Sequence, residues 1–100
     1  MTMTPSEILL KAADLLAERG WTQGQLVSAG GRVCALGAIR IACTGTIDVL
    51  PGLSLGDAGN SASRRLETYV GCWIASWNDA PERTAEDVIL AMKRVAHDTQ

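Results

Sequence analysis

The chain has 100 residues, 47% of them apolar and 20% charged, with 9 Lys+Arg against 11 Asp+Glu and a formal net charge of −2. That length suits one domain around one core and leaves no room for a two-domain enzyme or a doubly wound nucleotide-binding sheet. The apolar fraction excludes a disordered chain, and the acidic balance argues against holding nucleic acid through its phosphates.

Thr4-Pro5-Ser6-Glu7 has the form of a capping box with proline at the first helical position. Ile8, Leu9, Ala12, Leu15 and Leu16 follow at helical spacing, and Gly20 stands at the post-terminal glycine position, which predicts a helix over 5–19. The stretch 25–33 (QLVSAGGRV) predicts a short β-hairpin whose strands are too short to stand alone. From 33 to 43 the chain is apolar almost all round, with Arg40 its one charge, so a central helix is predicted there. Residues 44–60 are glycine-rich and contain Pro51, yet carry Ile47, Val49, Leu50, Leu53 and Leu55. That is too much apolar surface for a solvated linker; the segment reads as a packed lid or a contact surface for a partner.

A third helix is predicted over 62–77, capped by Ser61 or Ser63. Leu66, Tyr69, Val70, Trp73, Ile74 and Trp77 make one wide stripe on it, read as core. Asn78-Asp79-Ala80-Pro81 breaks it. Thr84-Ala85-Glu86-Asp87 caps a last helix over 84–97, with acids in its first turn and Lys93 and Arg94 near its end, both suited to the helix dipole. The predicted fold is mainly α: a single compact four-helix domain over 1–100, with a short hairpin near 25–33 and an irregular loop at 44–60.

The chemistry-bearing residues form few patterns. Cys34, Cys43 and Cys72 are an odd set without disulfide or zinc spacing, so neither a metal nor a cofactor is expected. Cys34 is the one candidate nucleophile, since a place in the first turn of its helix would favour the thiolate. The only histidine, His97, lies near the end of the chain, where a general base is poorly held. No carboxylate pair or phosphate-cradling loop occurs. Thr22-Gln23-Gly24-Gln25 is similar to the opening of a helix-turn-helix, but the helix after it offers bases mainly methyl groups, and no nucleic-acid partner is expected. The acidic start is no signal peptide, and no apolar run reaches the roughly 18 residues of a membrane span, so no membrane is expected and a cytoplasmic setting is.

One constellation stands out. Trp21 and Gln23 follow the first helix, while Trp77, Asn78, Asp79 and Arg83 precede the last. Two polar turns with a tryptophan each, at helix junctions, could meet around a small polar or aromatic ligand. The plainer reading has Asn78 and Asp79 satisfying backbone groups in a tight turn, with Arg83 paired to Asp79.

At these residues GWTQG (20–24), GRVCALGAIR (31–40) and WNDAPERTAEDV (77–88) together resemble a family of small domains of unknown function found in actinobacteria and their phages. Trp21, Gln23, Gly24, Cys34, Gly37, Ala38, Trp77, Asn78, Asp79, Arg83 and Thr84 carry the resemblance, and 44–60 has no counterpart in it. It implies a helical fold and a source, and no activity. The functional expectation is therefore a non-enzymatic accessory protein, phage-encoded, that binds a host protein through Ile47, Val49, Leu50, Leu53 and Leu55. The alternative is a nucleotide- or metabolite-binding protein using the two tryptophan turns, and less favoured still is a cysteine-dependent enzyme. Self-association is compatible with the first two.

Overall fold

The computed structural model describes residues 3–45 and 55–98. Helix α1 (Pro5–Arg19) opens on a reciprocal capping box. The Glu7 backbone N–H donates to Thr4 Oγ1 at 3.1 Å, and the Thr4 N–H donates to Glu7 Oε1 at 2.8 Å, so two donors that no helix can satisfy internally find partners. Its buried face is Ile8, Leu9, Ala12, Ala13 and Leu16. Gly20 stops the helix at φ 90° and ψ 167°, a backbone region open essentially to glycine alone. A Cβ there would also lie 3.1 Å from Arg32 Cγ.

The segment after Gly20 folds around Val33, which is wholly buried. The hairpin expected near 25–33 is reduced to two single-residue bridges, Trp21 with Val33 in parallel and Val27 with Val33 in antiparallel sense. Both sides of the chain at Val33 are engaged. Towards Trp21, its N–H donates to Gly20 O and its carbonyl accepts from the Thr22 N–H, each at 3.0 Å. Towards Val27, the Ser28 N–H donates to Arg32 O at 2.8 Å and the Cys34 N–H to Leu26 O at 3.1 Å. Each pairing stops at a single residue, too short to make a ladder.

Helix α2 (Ala35–Thr44) buries Ala35, Gly37, Ala38, Ile39, Ile41 and Ala42. Helix α3 (Gly56–Val70) starts inside the stretch read as loop, at a Leu55 cap with no side-chain hydrogen bond. Ser61 and Ser63 are thus interior to the helix and not its caps. Early entry is allowed by Gly59, which lies against α2: a Cβ on it would come within 2.7 Å of both Cys43 Sγ and Leu55 Cβ. Leu55 itself is half-buried and packs on the core. The other residues assigned to a partner surface, Ile47, Val49, Leu50 and Leu53, lie outside the described residues.

The predicted helix over 62–77 is interrupted. Gly71, left-handed at φ 83°, ends α3 by donating its N–H to Glu67 O at 2.8 Å, as glycine does at a helix C-terminus. The chain then turns through Cys72 and Trp73 into a short α4 (Ile74–Asn78). This turn breaks the apolar stripe. Leu66, Ile74 and Trp77 are buried, whereas Tyr69 is 49% and Trp73 75% exposed; the stripe was expected to be core along its whole length. Helix α5 (Ala85–Asp98) is capped by Thr84 and Asp87, whose side chains each accept the other's backbone N–H.

Among the described residues these five helices make a mainly α domain. Helix α1 lies chiefly against α5 and α2, while α3 leans on α1, α2 and α5. The core gathers the α1 face with Val33, Ile39, Leu66, Val88 and Met92. No helix among the described residues is long and apolar enough to cross a membrane.

Candidate functional site

The two tryptophan turns meet. The short α4 carries Trp77 and Asn78 into the molecule and leaves Asp79 at its end, facing the Trp21–Gly24 turn. Among the described residues Asn78 is the one buried polar residue, fully enclosed. Its side-chain oxygen accepts from Trp21 Nε1 at 2.7 Å and from the Ala35 N–H at 3.0 Å. Its side-chain nitrogen donates to Thr22 O at 3.1 Å and to Asp79 Oδ1 at 3.0 Å. A carboxamide has two donors and two acceptor sites, and all four are in use.

The flanking residues extend the seam. Gln23 Nε2 donates to the carbonyls of Asn78, at 3.0 Å, and Ala80, at 2.9 Å. The Gly24 N–H donates to Asp79 Oδ1 at 2.9 Å. Arg83 Nε donates to Trp77 O at 2.9 Å, and its guanidinium lies 4.5 Å from the centre of the Trp77 ring, a cation–π distance. Arg83 therefore holds Trp77, where a pairing with Asp79 was the plainer expectation.

The seam also caps a helix. The first N–H groups of α2 have no partner within the helix. Ala35 N–H finds Asn78, forty-three residues on. Gly37 N–H finds Cys34 Sγ at 3.3 Å. Cys34 is the N-cap and not a first-turn residue. Its thiol pKa is raised above the ordinary value: burial disfavours the thiolate, outweighing the Gly37 N–H that favours it, and the nearby Asp79 charge pushes the same way. The helix start was expected to favour the thiolate; desolvation reverses the sign. His97 is exposed on α5.

Trp21, Gln23, Trp77, Asn78, Asp79 and Arg83 are thus brought together, with their polar atoms turned largely on one another. A hollow of about 190 Å³ lies beside them, walled by Gly24, Leu26, Cys34, Leu36, Ala75 and Asp79. Ordinary ligand pockets run from about 300 Å³ upward. The seam acts as a clamp joining the turn after α1, the start of α2 and the end of α4. Among the described residues no group of three or more His, Cys, Asp or Glu is placed to hold a metal ion.

Two of the exposed large apolar residues belong to a stripe whose periodicity predicts core. Trp73 and Tyr69 flank the Gly71 turn, and Gly71, at a helix-ending position within the stripe, is the signal that marks where the stripe leaves the interior. Cys72, between them, is exposed.

A family model described as a family of unknown function (DUF6197) matches residues 1–98, and the chain belongs to that family. No curated protein and no solved structure matches it.

Proposed function

We propose that this member of the DUF6197 family is a non-enzymatic accessory protein that acts by binding another protein, with Tyr69 and Trp73 in its contact surface. The observation that carries this reading is Trp73 at 75% exposure beside Tyr69 at 49%, while Trp77 is kept inside. Exposed aromatic corners are costly in water, and tryptophan and tyrosine contribute heavily when a partner covers them. The non-enzymatic part is supported by Cys34, whose thiol is buried, capped into α2 and held neutral. The likeness of its three motifs to phage and actinobacterial domains favours a host protein as partner, met in the cytoplasm. Ile47, Val49, Leu50 and Leu53 remain a second proposed part of the contact.

Capture on immobilised chain from a lysate of the source organism tests this. A protein retained by the wild type and by Leu90→Ser, a control at another exposed apolar site, is expected to be lost with Trp73→Ser and with Tyr69→Ser. Retention of nothing, or of the same proteins by all four, would overturn the reading. A small polar ligand at the tryptophan turns is the second reading, supported by the meeting of the Trp21–Gly24 turn with Asn78 and Asp79. It requires a nucleotide or metabolite that raises the melting temperature of the wild type and not of Asp79→Ala.

A further inference from the structure

The partner's chemistry can be narrowed, resting on the protein-binding reading above. Between α3 and α5 runs a groove of about 500 Å³. Arg64, Arg65, Thr68 and Tyr69 form the α3 wall at helical spacing, and Val95 and Asp98 form the α5 wall. The surface inside is mostly apolar; Tyr69, 49% exposed, contributes to it, whereas Val95 is buried at 3% exposure. Thr68 also lines the cleft that holds Cys72 and Trp73. Groove and aromatic corner are therefore one continuous strip.

The charge along this strip departs from that of the chain. The protein carries −2, yet two of the seven residues lining the groove are Arg64 and Arg65. The facing acids are Asp98 in the groove and Glu67 in the adjoining cleft. Glu67 Oε2 already accepts from the Ile74 N–H at 3.4 Å. Arg65 is half-buried and has interactions of its own within the protein, whereas Arg64 is exposed. A guanidinium at the edge of an apolar groove matches a carboxylate carried next to an apolar side chain, since the fork pairs with the acid while the groove takes the rest.

We propose that the groove and corner receive a segment of a partner protein that presents acidic side chains alongside bulky aliphatic or aromatic ones. The acid pairs with Arg64, and the apolar groups lie against Tyr69 and Trp73.

Two short amphipathic peptides test it, identical in their leucine and tryptophan positions, one bearing glutamates and the other lysines. Each is titrated to millimolar concentration into the isotope-labelled full chain and followed by two-dimensional NMR. The glutamate peptide is expected to shift the amides of Arg64, Thr68, Tyr69 and Val95 and the indole N–H of Trp73. It should bind up to about fivefold more tightly than the lysine peptide, the range of one partly exposed ion pair. Arg64→Glu should reverse that preference, and Arg64→Gln, the milder change, should erase it. Equal binding of both peptides, no shifts at these positions, or a preference that Arg64 variants leave intact would overturn the proposal. Trp73-dependent capture alongside such a result would keep the docking corner and remove only the acidic partner; loss of both would remove the protein-binding reading as well.

Discussion

Replacing Asn78 by alanine removes the centre of the clamp, and its cost can be worked from the four bonds of that side chain. The Ala35 N–H is wholly buried; left without a partner it costs about 1–3 kcal/mol. Trp21 Nε1 and Thr22 O belong to half-buried residues. Water entering the vacated space can reach them, so each loses about 0.5–1.5 kcal/mol. Asp79 Oδ1 keeps its bond from Gly24 and adds little. The sum is about 2–6 kcal/mol, a large part of the roughly 5–15 kcal/mol that holds a domain folded. At about 4–8 °C per kcal/mol for a domain of this size, the mid-range corresponds to a fall in melting temperature of about 15–30 °C. Thermal and urea unfolding by circular dichroism measure it, and amide exchange at Ala35 localises it. A loss under about 1 kcal/mol, or unchanged exchange at Ala35, would refute the idea that Asn78 caps α2 and joins the turns.

Four further outcomes are expected. Gly59→Ala should destabilise by about 1–3 kcal/mol in urea unfolding, because its Cβ meets Cys43 Sγ and Leu55 Cβ at 2.7 Å; Cys43→Ala should restore part of the loss by removing one of the two contacts. Trp77→Ala should cost about 3–5 kcal/mol and Trp73→Ser less than about 0.5 kcal/mol, although both are tryptophans one helical turn apart, and melting curves separate them. Iodoacetamide should label Cys72 fastest and Cys34 slowest, following their exposure. The fold raises the Cys34 pKa, so the stability it lends is complete below the ordinary thiol value of 9.0 and is lost as pH rises from there through the folded-state value. Wild type should therefore lose more stability than Cys34→Ser on moving from neutral pH to above 9.0.

Where an element depends on residues within its own length, the sequence and the structure agree closely. The Thr4–Glu7 capping box, the α1 face and the Thr84–Asp87 cap each act within about a turn, and local patterning suffices to see them. Helix α3 departs from its pattern at both ends. Its early start rests on Gly59 fitting against Cys43 of another helix. Its end at Gly71 is visible as a glycine, but a glycine inside an apolar stripe is equally compatible with a continuous helix. The direction of the Cys34 shift was likewise out of reach, since a helix start and burial pull oppositely and only packing says which prevails.

The composition and periodicity of this chain suffice for a mainly α domain, because amphipathic helices are written in spacings of three and four residues. They also suffice to mark Trp21, Gln23, Trp77, Asn78, Asp79 and Arg83 as unusual, since polar turns with tryptophan are poor helix and poor linker. Tertiary structure alone decided that Asn78 closes on Trp21, Thr22 and Ala35 from more than forty residues away. It alone decided that Trp73 faces water while Trp77 does not. Hydrogen-bond partners across turns, and the side of a break on which a side chain emerges, depend on how helices dock, and no local spacing records that.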